Sequence, residues 1–554
     1  GTDAQPFEIP DATAFVSMTD RFEALASAGS DTDDCWSSSF QLTGDVDLTN
    51  QAITPIGYDA QGTQVLDSEF SGQLDGAGHT VTGLSLTLPQ KNLALFRVLD
   101  GATIEDITFV DTTISSTNSR VAVLAGEANR AELRNVTISG AHVRGKNNVG
   151  GLFGRSSGGT WSDLRVAGTT LHSQGDRAGG LVGRARLTED LTIDGVTVDN
   201  LLVPNASRSK DLKGGLIGFA LSASGSTDVT ITVEGGRVSG VLEGNKEVGG
   251  FVGRLGQATR LVVREVTVST TARGNAQVAG LVGDVKGNGV YLEDVEWTGT
   301  VSGTASNVAG AFGLVDADVT LRDVSLDGVI TGSDRVGGVA GHVRDQAALG
   351  VERTSLAGTV TATFAGDGHA NVGGIVGRVD DDTDLTVANS EVRADVTATA
   401  SNRVGGLVGL VRPKATLIVR DVSVAGAMQG ETPVGGLVGL ARNSNDGSTG
   451  PTLDVGRTLV TATLGASDGD AAALVGDVED ATEVVRLDAF VPEVVDGATP
   501  TRGTPIGTAE RRDPRTYLDA GWSLANGPSG SATWRLCAAT GAPVLAWTGT
   551  PSGC

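Results

Sequence analysis

Residues 154 to 158, Gly154-Arg155-Ser156-Ser157-Gly158, fit the Gly-x-Ser-x-Gly pattern in which a serine nucleophile is lifted clear of a sharp turn. That chemistry needs a strand-to-helix turn in an α/β sheet. Ser156 instead lies between two strand-like stretches, which argues against acyl transfer there. The five histidines, His79, His142, His172, His342 and His369, fall singly along the chain with no two at metal-ligand spacing, so they read as surface or turn residues. The densest acidic run, Asp380-Asp381-Asp382-Thr383-Asp384, offers hard oxygen ligands suited to calcium but lacks the glycine and the distal glutamate of an EF-hand loop. It reads as a solvated turn, with calcium binding left open. Thr-x-Thr pairs at Thr361/Thr363, Thr397/Thr399 and Thr461/Thr463 share no common offset from the glycine motif described next and do not make a threonine array. No catalytic residue, cofactor or metal is expected.

The elements that would have to position such residues are dominated by one repeat. Val-Gly-Gly-Leu-Val-Gly-Leu is spelled at 404 to 410 and again at 434 to 440, and variants occur throughout the chain. The closing glycines are Gly126, Gly154, Gly183, Gly218, Gly253, Gly283, Gly313, Gly341, Gly377, Gly409, Gly439 and Gly476. Their mean spacing of about 32 residues is that of a stacked repeat architecture. A phosphate-cradling loop would need a following Lys-Ser/Thr, or a helix inside a βαβ unit, and neither follows any copy. The glycines therefore read as a structural device, placed where backbone bends with another coil directly above it.

Between glycine motifs the sequence alternates Val, Ile, Leu and Thr with polar residues, as in "LIVRDVSVAGAMQGETPVGGLVG" (417 to 439). Such units give three short strands per coil of about 30 residues. The expected fold is all-β: a single elongated β-solenoid, parallel β-helix-like, of about thirteen coils. Its expected parts are an N-terminal cap at 1–39, solenoid repeats at 40–485 and a Trp-rich C-terminal cap at 486–554. The N-terminal cap should hold an amphipathic helix over 13 to 29, with Phe15, Met18, Phe22 and Leu25 on one face and Ser17 or Thr19 as N-cap. A recurrent corner carries Asn135, Asp163, Asp194, Glu265, Asp294, Asp323, Asn389 and Asp421, residues that tolerate left-handed turns. Within the motif a Leu column (Leu152, Leu181, Leu216) and the adjoining Val column (Phe153, Val182, Ile217) should face opposite sides of a straight strand. Either the glycines bend the strand and return both columns to the core, or an apolar stripe is exposed and copies self-associate.

A formal net charge of −25 spread along the chain disfavours nucleic acid and anionic membranes as partners. No stretch is apolar enough to span a bilayer, so membrane insertion within this chain is not expected. Of the cysteines, Cys537 and Cys554 could close a short disulfide loop of a kind found outside the cytosol, while Cys35 is left over, free or paired.

The segment "FQLTGDVDLTNQAITPIG…FSGQLDGAGHTVTGLSL" (40 to 86), the Gly-Gly-Leu-Val-Gly repeats and the final Pro-Val-Leu-Ala-Trp together resemble bacterial surface proteins with GLUG-motif repeats. The resemblance implies an adhesin-like β-solenoid at an extracellular or cell-surface location, with signal peptide removed and any anchor outside this chain or absent. It carries over no catalytic residues. The expected function is a non-catalytic adhesin or stalk module that binds an unknown glycan or protein receptor, or other copies of itself. Two alternatives stand beside it, a polysaccharide-active lyase or hydrolase built on a β-helix, and a structural filament subunit.

Overall fold

The computed structural model describes residues 1–554 apart from 30–33, 66–67, 206–211, 225–227, 365–369, 400–401, 445–446, 448, 468–470, 480–481, 493–497, 500–502, 508, 526–532, 538–542 and 549–554, and apart from the side chains of 402, 485–487, 492 and 498–499. The fold is mostly β, 60% strand against 6% helix, wound as a parallel β-solenoid of about 15 turns with roughly 30 residues per turn. The count exceeds the expected thirteen because the first turns, which include strands Val46–Asp47, Gln73–Asp75 and Thr80–Thr82, carry no glycine motif. Two compact units, Gly1–Gly289 and Val290–Cys554, make up the chain.

In the first unit a representative turn runs Ala131–Ser139, His142–Gly145, Val149–Gly150 and Phe153–Ser156. Each segment pairs in parallel with its counterpart one turn on, as in Leu133↔Trp161, Val143↔Leu171, Val149↔Ala178 and Phe153↔Val182. The first two segments belong to one broad sheet, and the other two to separate narrow sheets. Apolar residues thus stack on apolar residues turn after turn, and a single turn could not bury them alone. The broad sheet bends at a left-handed corner formed by Asp106, Asn135, Asp163, Gly195, Gly235 and Glu265, with φ between 49° and 70° except for Asn135 at 48°. Asp194, expected at this corner, is one residue off, because Gly195 beside it adopts positive φ with no Cβ penalty.

The N-terminal helix spans Ala12–Ser27 and buries Phe15, Met18, Phe22 and Leu25, as its spacing predicts. Its N-cap is Asp11, not Ser17 or Thr19: the Asp11 carboxylate accepts from Ala14 N at 2.9 Å, about two turns earlier than the sequence suggests. Phe22 then joins Trp36, Phe40 and Phe70 with ring centroids 4.9–5.9 Å apart. That aromatic cluster ties the helix to the first turns.

The second unit repeats the plan. Inward residues stack as Leu385↔Leu417↔Leu453 and Val387↔Val419↔Val455. Its left-handed corner runs through Asp294, Asp323, Arg353, Asn389, Asp421 and Arg457. The C-terminal aromatics form a second core with Leu459, Phe490, Tyr517, Trp522, Trp534 and Leu545. This segment reaches back along the side of the unit: Trp534 Nε1 donates to Asp421 Oδ1 at 2.9 Å, and Trp547 stands beside Asp323, Arg353 and Arg393. Cys537 is disulfide-bonded, while its expected partner Cys554 lies outside the described residues. Cys35 is half-buried. Among the described residues no helix is long and apolar enough to cross a membrane.

The glycine motif is a tight arch, and this decides the fate of the two apolar columns. Val149–Gly150 ends one arm, Gly151-Leu152 bends, and Phe153 begins the other arm. The bend turns Leu152, Leu181, Leu216, Phe251, Leu281, Leu407 and Leu437 inward together with Phe153, Val182, Ile217, Val252, Val282, Val408 and Val438, all at most 2% exposed. The exposed stripe entertained from the sequence therefore does not exist, and self-association through it is ruled out. The closing glycines lie directly on backbone. A Cβ added at Gly154, Gly183, Gly218, Gly253, Gly283, Gly341, Gly377, Gly409, Gly439 or Gly476 would come within 2.4–2.7 Å of a main-chain atom. Real Cβ atoms do not approach that closely, so alanine there must push two sheets apart. Gly409→Ala, whose Cβ would sit 2.4 Å from Val372 N, is expected to destabilise by about 3 kcal/mol. Gly350→Ala, with nothing nearer than 3.9 Å, is expected to be neutral or stabilising by up to about 1 kcal/mol. Guanidinium unfolding midpoints of the two variants test the contrast; equal midpoints would show that the arch tolerates a methyl group.

Candidate functional site

The close approach of the two arms sets two side-chain columns beside each other. One column opens the motif and the other follows its closing glycine, seven residues later. In the first unit the opening column is Arg120, Asn148, Arg177, Leu212, Glu247 and Gln277, and the closing column is Glu127, Arg155, Arg184, Phe219, Arg254 and Asp284. The closing column is in strict register through its strands, as Glu127↔Arg155↔Arg184↔Phe219↔Arg254↔Asp284. Side chains that follow one another at strand spacing, about 4.8 Å apart, must interact strongly.

They do so as a charged ladder. Glu127 accepts from Arg120 at 2.5 Å across the arch and pairs with Arg155 at 2.9 Å along the stack. Arg254 pairs with Glu247 at 3.4 Å across the arch and with the buried Asp284 at 3.6 Å along the stack. Between these ends lies Phe219, with the guanidinium carbons of Arg177, Arg184 and Arg254 at 5.3, 5.7 and 5.6 Å from its ring centroid. Burial lowers the pKa of Arg155 and Arg177. Burial, reinforced by Arg177, Arg155, Arg186 and Arg120, draws Arg184 down to about 10. One more departure lies in the core: Lys213 is fully buried at the position that Ala178 and Val248 hold in neighbouring turns.

In the second unit the closing column is Leu314, His342, Arg378, Leu410, Leu440 and Asp477, and it is more apolar. Its charged part centres on His342, whose Nε2 lies 2.9 Å from Asp380 Oδ2 and whose Nδ1 lies 3.4 Å from Arg335 Nη1. Arg378 and Arg412 also face Asp380, at 2.5 and 3.7 Å. Burial holds His342 below an ordinary imidazole and outweighs the opposing pull of Asp380. Burial alone would raise Asp380, but the hydrogen bond from His342 and the charge of Arg378 outweigh it and bring the carboxyl down to about 2. The pair is therefore a neutral imidazole beside an ionised carboxylate at neutral pH.

The residues singled out from the sequence do not converge on a reaction centre. Ser156 is fully buried, its hydroxyl 3.3 Å from Gly158 O and accepting from Gly158 N at 3.2 Å, between two strands and not on a helix-opening elbow. His79 meets Asp45 at 3.3 Å, His142 and His172 lie on strands of the broad sheet, and His369 falls outside the described residues. In the acidic run Asp380, Asp381 and Asp382 each face a cation: Arg412 reaches Asp381 at 2.6 Å and Lys414 reaches Asp382 at 3.8 Å. The corner acids behave likewise, with Arg353 bonded to Asp323 at 2.5 Å and Arg457 to Asp421 at 2.7 Å. Among the described residues no group of three or more His, Cys, Asp or Glu is placed to hold a metal ion. Thr361 and Thr397 do pair in register, with Thr331 below them, but the stack ends at Gln429. The longest departures from the repeat, at 203–214, 222–228 and 441–451, are rich in small polar residues and lie partly outside the described residues. The ladder itself was not read from the sequence; the signal available was the residue after each closing glycine, charged in five of the six turns of the first unit's column.

The His342–Asp380 pair gives a pH dependence. His342 has a folded pKa below 6.5, so the unfolded chain binds its proton first as the pH falls, and stability drops from about pH 6.5 downward. Asp380 has a folded pKa below 3.8, so its contribution is complete above 3.8 and is lost as the pH falls towards 2. Melting temperatures at pH 7, 6, 5, 4 and 3 should show His342→Gln flattening the fall between pH 6.5 and 5 while the loss below pH 4 persists; an unchanged slope in the upper window would refute the assignment.

The comparisons with known proteins are sparse. No family model matches the chain, and no solved structure matches it. A stretch of 162 residues is 33% identical to halomucin of Haloquadratum walsbyi, covering 28% of this chain and 2% of halomucin. The chain thus corresponds to a small part of that protein's length.

Proposed function

We propose that this chain is a non-catalytic extracellular or cell-surface module, an adhesin or stalk segment that contacts a glycan or protein along its side. A β-solenoid fits a surface or structural role. The observation that carries the reading is the ladder: half-buried polar and charged side chains repeat at one register through successive turns, so the surface offers an extended row of contacts. A rise of about 4.8 Å per turn is on the scale of one sugar unit, so a linear glycan laid along the seam can meet successive turns in the same way. The similarity to part of halomucin, a protein named as a mucin, is in keeping with a surface role. The adhesin-like, GLUG-repeat resemblance of the sequence points the same way.

The test is a binding screen of the full chain against neutral glycans, acidic glycans and extracellular-matrix proteins, run beside an assay for new reducing ends on acidic polysaccharides. Saturable binding without depolymerisation is expected. Depolymerisation that is lost on substitution of carboxylates would establish the lyase or hydrolase alternative instead.

A further inference from the structure

We propose that the arginine cluster around Phe219 in the first unit is an oxyanion site that takes a carboxylate or sulfate group of an acidic polysaccharide. The inference deepens, and rests on, the reading of this chain as a glycan-contacting surface module.

Three guanidinium groups surround one half-buried aromatic ring, but their charges are not equally met. Arg254 has Glu247 and Asp284. Arg155, one turn below Arg184, has Glu127. Arg177 has a hydrogen bond to Asn148 Oδ1 at 3.4 Å and the charges of Asp176 and Glu247 nearby, opposed by Arg254. Arg184 has no carboxylate or carbonyl partner among the described residues; its Nε is buried without a hydrogen bond, as are those of Arg155, Arg177 and Arg254, so the terminal nitrogens of this half-buried side chain are what a ligand could meet. Its charged neighbours are four arginines. A guanidinium so placed is held in orientation by the ring yet left with unmet donors, and a planar carboxylate or a sulfate offers paired oxygens to such a fork. The gap is local: the chain as a whole carries −25, so this cluster of positive charge is an exception within an acidic protein. That overall charge also selects the source. A polymer with charge at every unit, such as a nucleic acid, is repelled along its length. A polysaccharide with a carboxylate or sulfate group among hydroxyls can seat one charge on Arg184 and lay its neutral atoms over the adjoining turns.

The experiment measures binding of the intact chain to immobilised hyaluronate, whose carboxylates fall on alternate sugars, to a lightly sulfated dextran and to neutral dextran at low salt, with sodium sulfate in solution as the free-ion arm. Arg184→Gln and Arg155→Gln are compared with Arg130→Gln, which removes the same charge from an exposed arginine paired with Asp100; circular dichroism confirms the fold of each. The expected result is retention on one or both acidic polymers, a loss of at least about tenfold for Arg184→Gln, a smaller loss for Arg155→Gln, and a change of less than about twofold for Arg130→Gln. Should Arg184→Gln fail to fold, Arg155→Gln against Arg130→Gln decides. Equal behaviour of the cluster and control variants, or binding of sodium sulfate with neither acidic polymer, overturns the site. Binding to neutral glycans or proteins alone overturns it too, while the module reading stands.

Discussion

Everything in this fold follows from how closely two backbones meet at the glycine arch. A Cβ at Gly150 would lie 2.0 Å from Phe153 O, and one at Gly151 would lie 2.2 Å from Gly180 O in the turn above. Neither distance can be relieved by rotating a side chain, because the obstacle is main chain. With hydrogen in place of Cβ, the arch closes, the leucine at its tip points inward and the valine that follows remains inside as well. The core is then filled from both arms, which a straight strand cannot achieve. The same closure brings the residue before the arch within reach of the residue after it, so Arg120 meets Glu127 and Arg335 meets His342.

Parallel stacking then multiplies whatever the arch places at its flanks. In a solenoid each side chain has its own equivalent above and below, so a column of like charges would repel at every step. The first unit alternates its column in sign only at the ends, Glu127 below and Asp284 above, and leaves Arg155 and Arg184 adjacent between them. The second unit places Leu314, Leu410 and Leu440 at the equivalent register and confines its polar members to His342, Arg378 and the terminal Asp477. Its arginines are met by Asp380 and Asp381 from the turn that follows the arch. The two units thus share a backbone solution and differ in electrostatics. That difference leaves positive charge on Arg184 without a carboxylate partner in the first unit's seam.

The parts of this fold that could be read from sequence are those fixed by local chemistry repeated at a constant interval. Asn135, Asp163, Glu265, Asp294, Asp323, Asn389 and Asp421 all adopt the left-handed corner expected of them, since that preference is a property of the residue and its neighbour. Arg353 and Arg457 occupy the same corner and escaped notice, because an arginine signals no turn; each is held there by bonding the aspartate one turn earlier. The helix was legible from its apolar spacing, but its start was not, because Asp11 precedes the first buried residue, Phe15, by just over a turn. The charged ladder was invisible for a different reason. Its pairs are formed by residues in successive turns, and they emerge only when the closing glycines are stacked on one another and the residue after each is compared down the stack. A slip of one position would turn every member of the column to the other face.

The C-terminal aromatic segment shows how the lateral surface is divided. Asp421 belongs to the corner column, is bonded by Arg457 from the next turn, and also accepts from Trp534 Nε1. Strand Pro543–Leu545 runs antiparallel to Trp534–Leu536 and lies against Thr416–Val424 of the broad sheet. Trp547 continues past Asp323 and Arg353. In the second unit, therefore, the corner of the broad sheet is covered by the chain's own aromatics, and the acids there are engaged inside the molecule. The glycine seam carries no such cover among the described residues, and its side chains from Arg155 to Arg254 remain half-buried instead of enclosed. A surface that must meet an extended partner needs a rigid row of groups with unspent hydrogen-bonding capacity. In this chain those two conditions coincide at the seam, where the glycines supply the rigidity and Arg184 supplies the capacity.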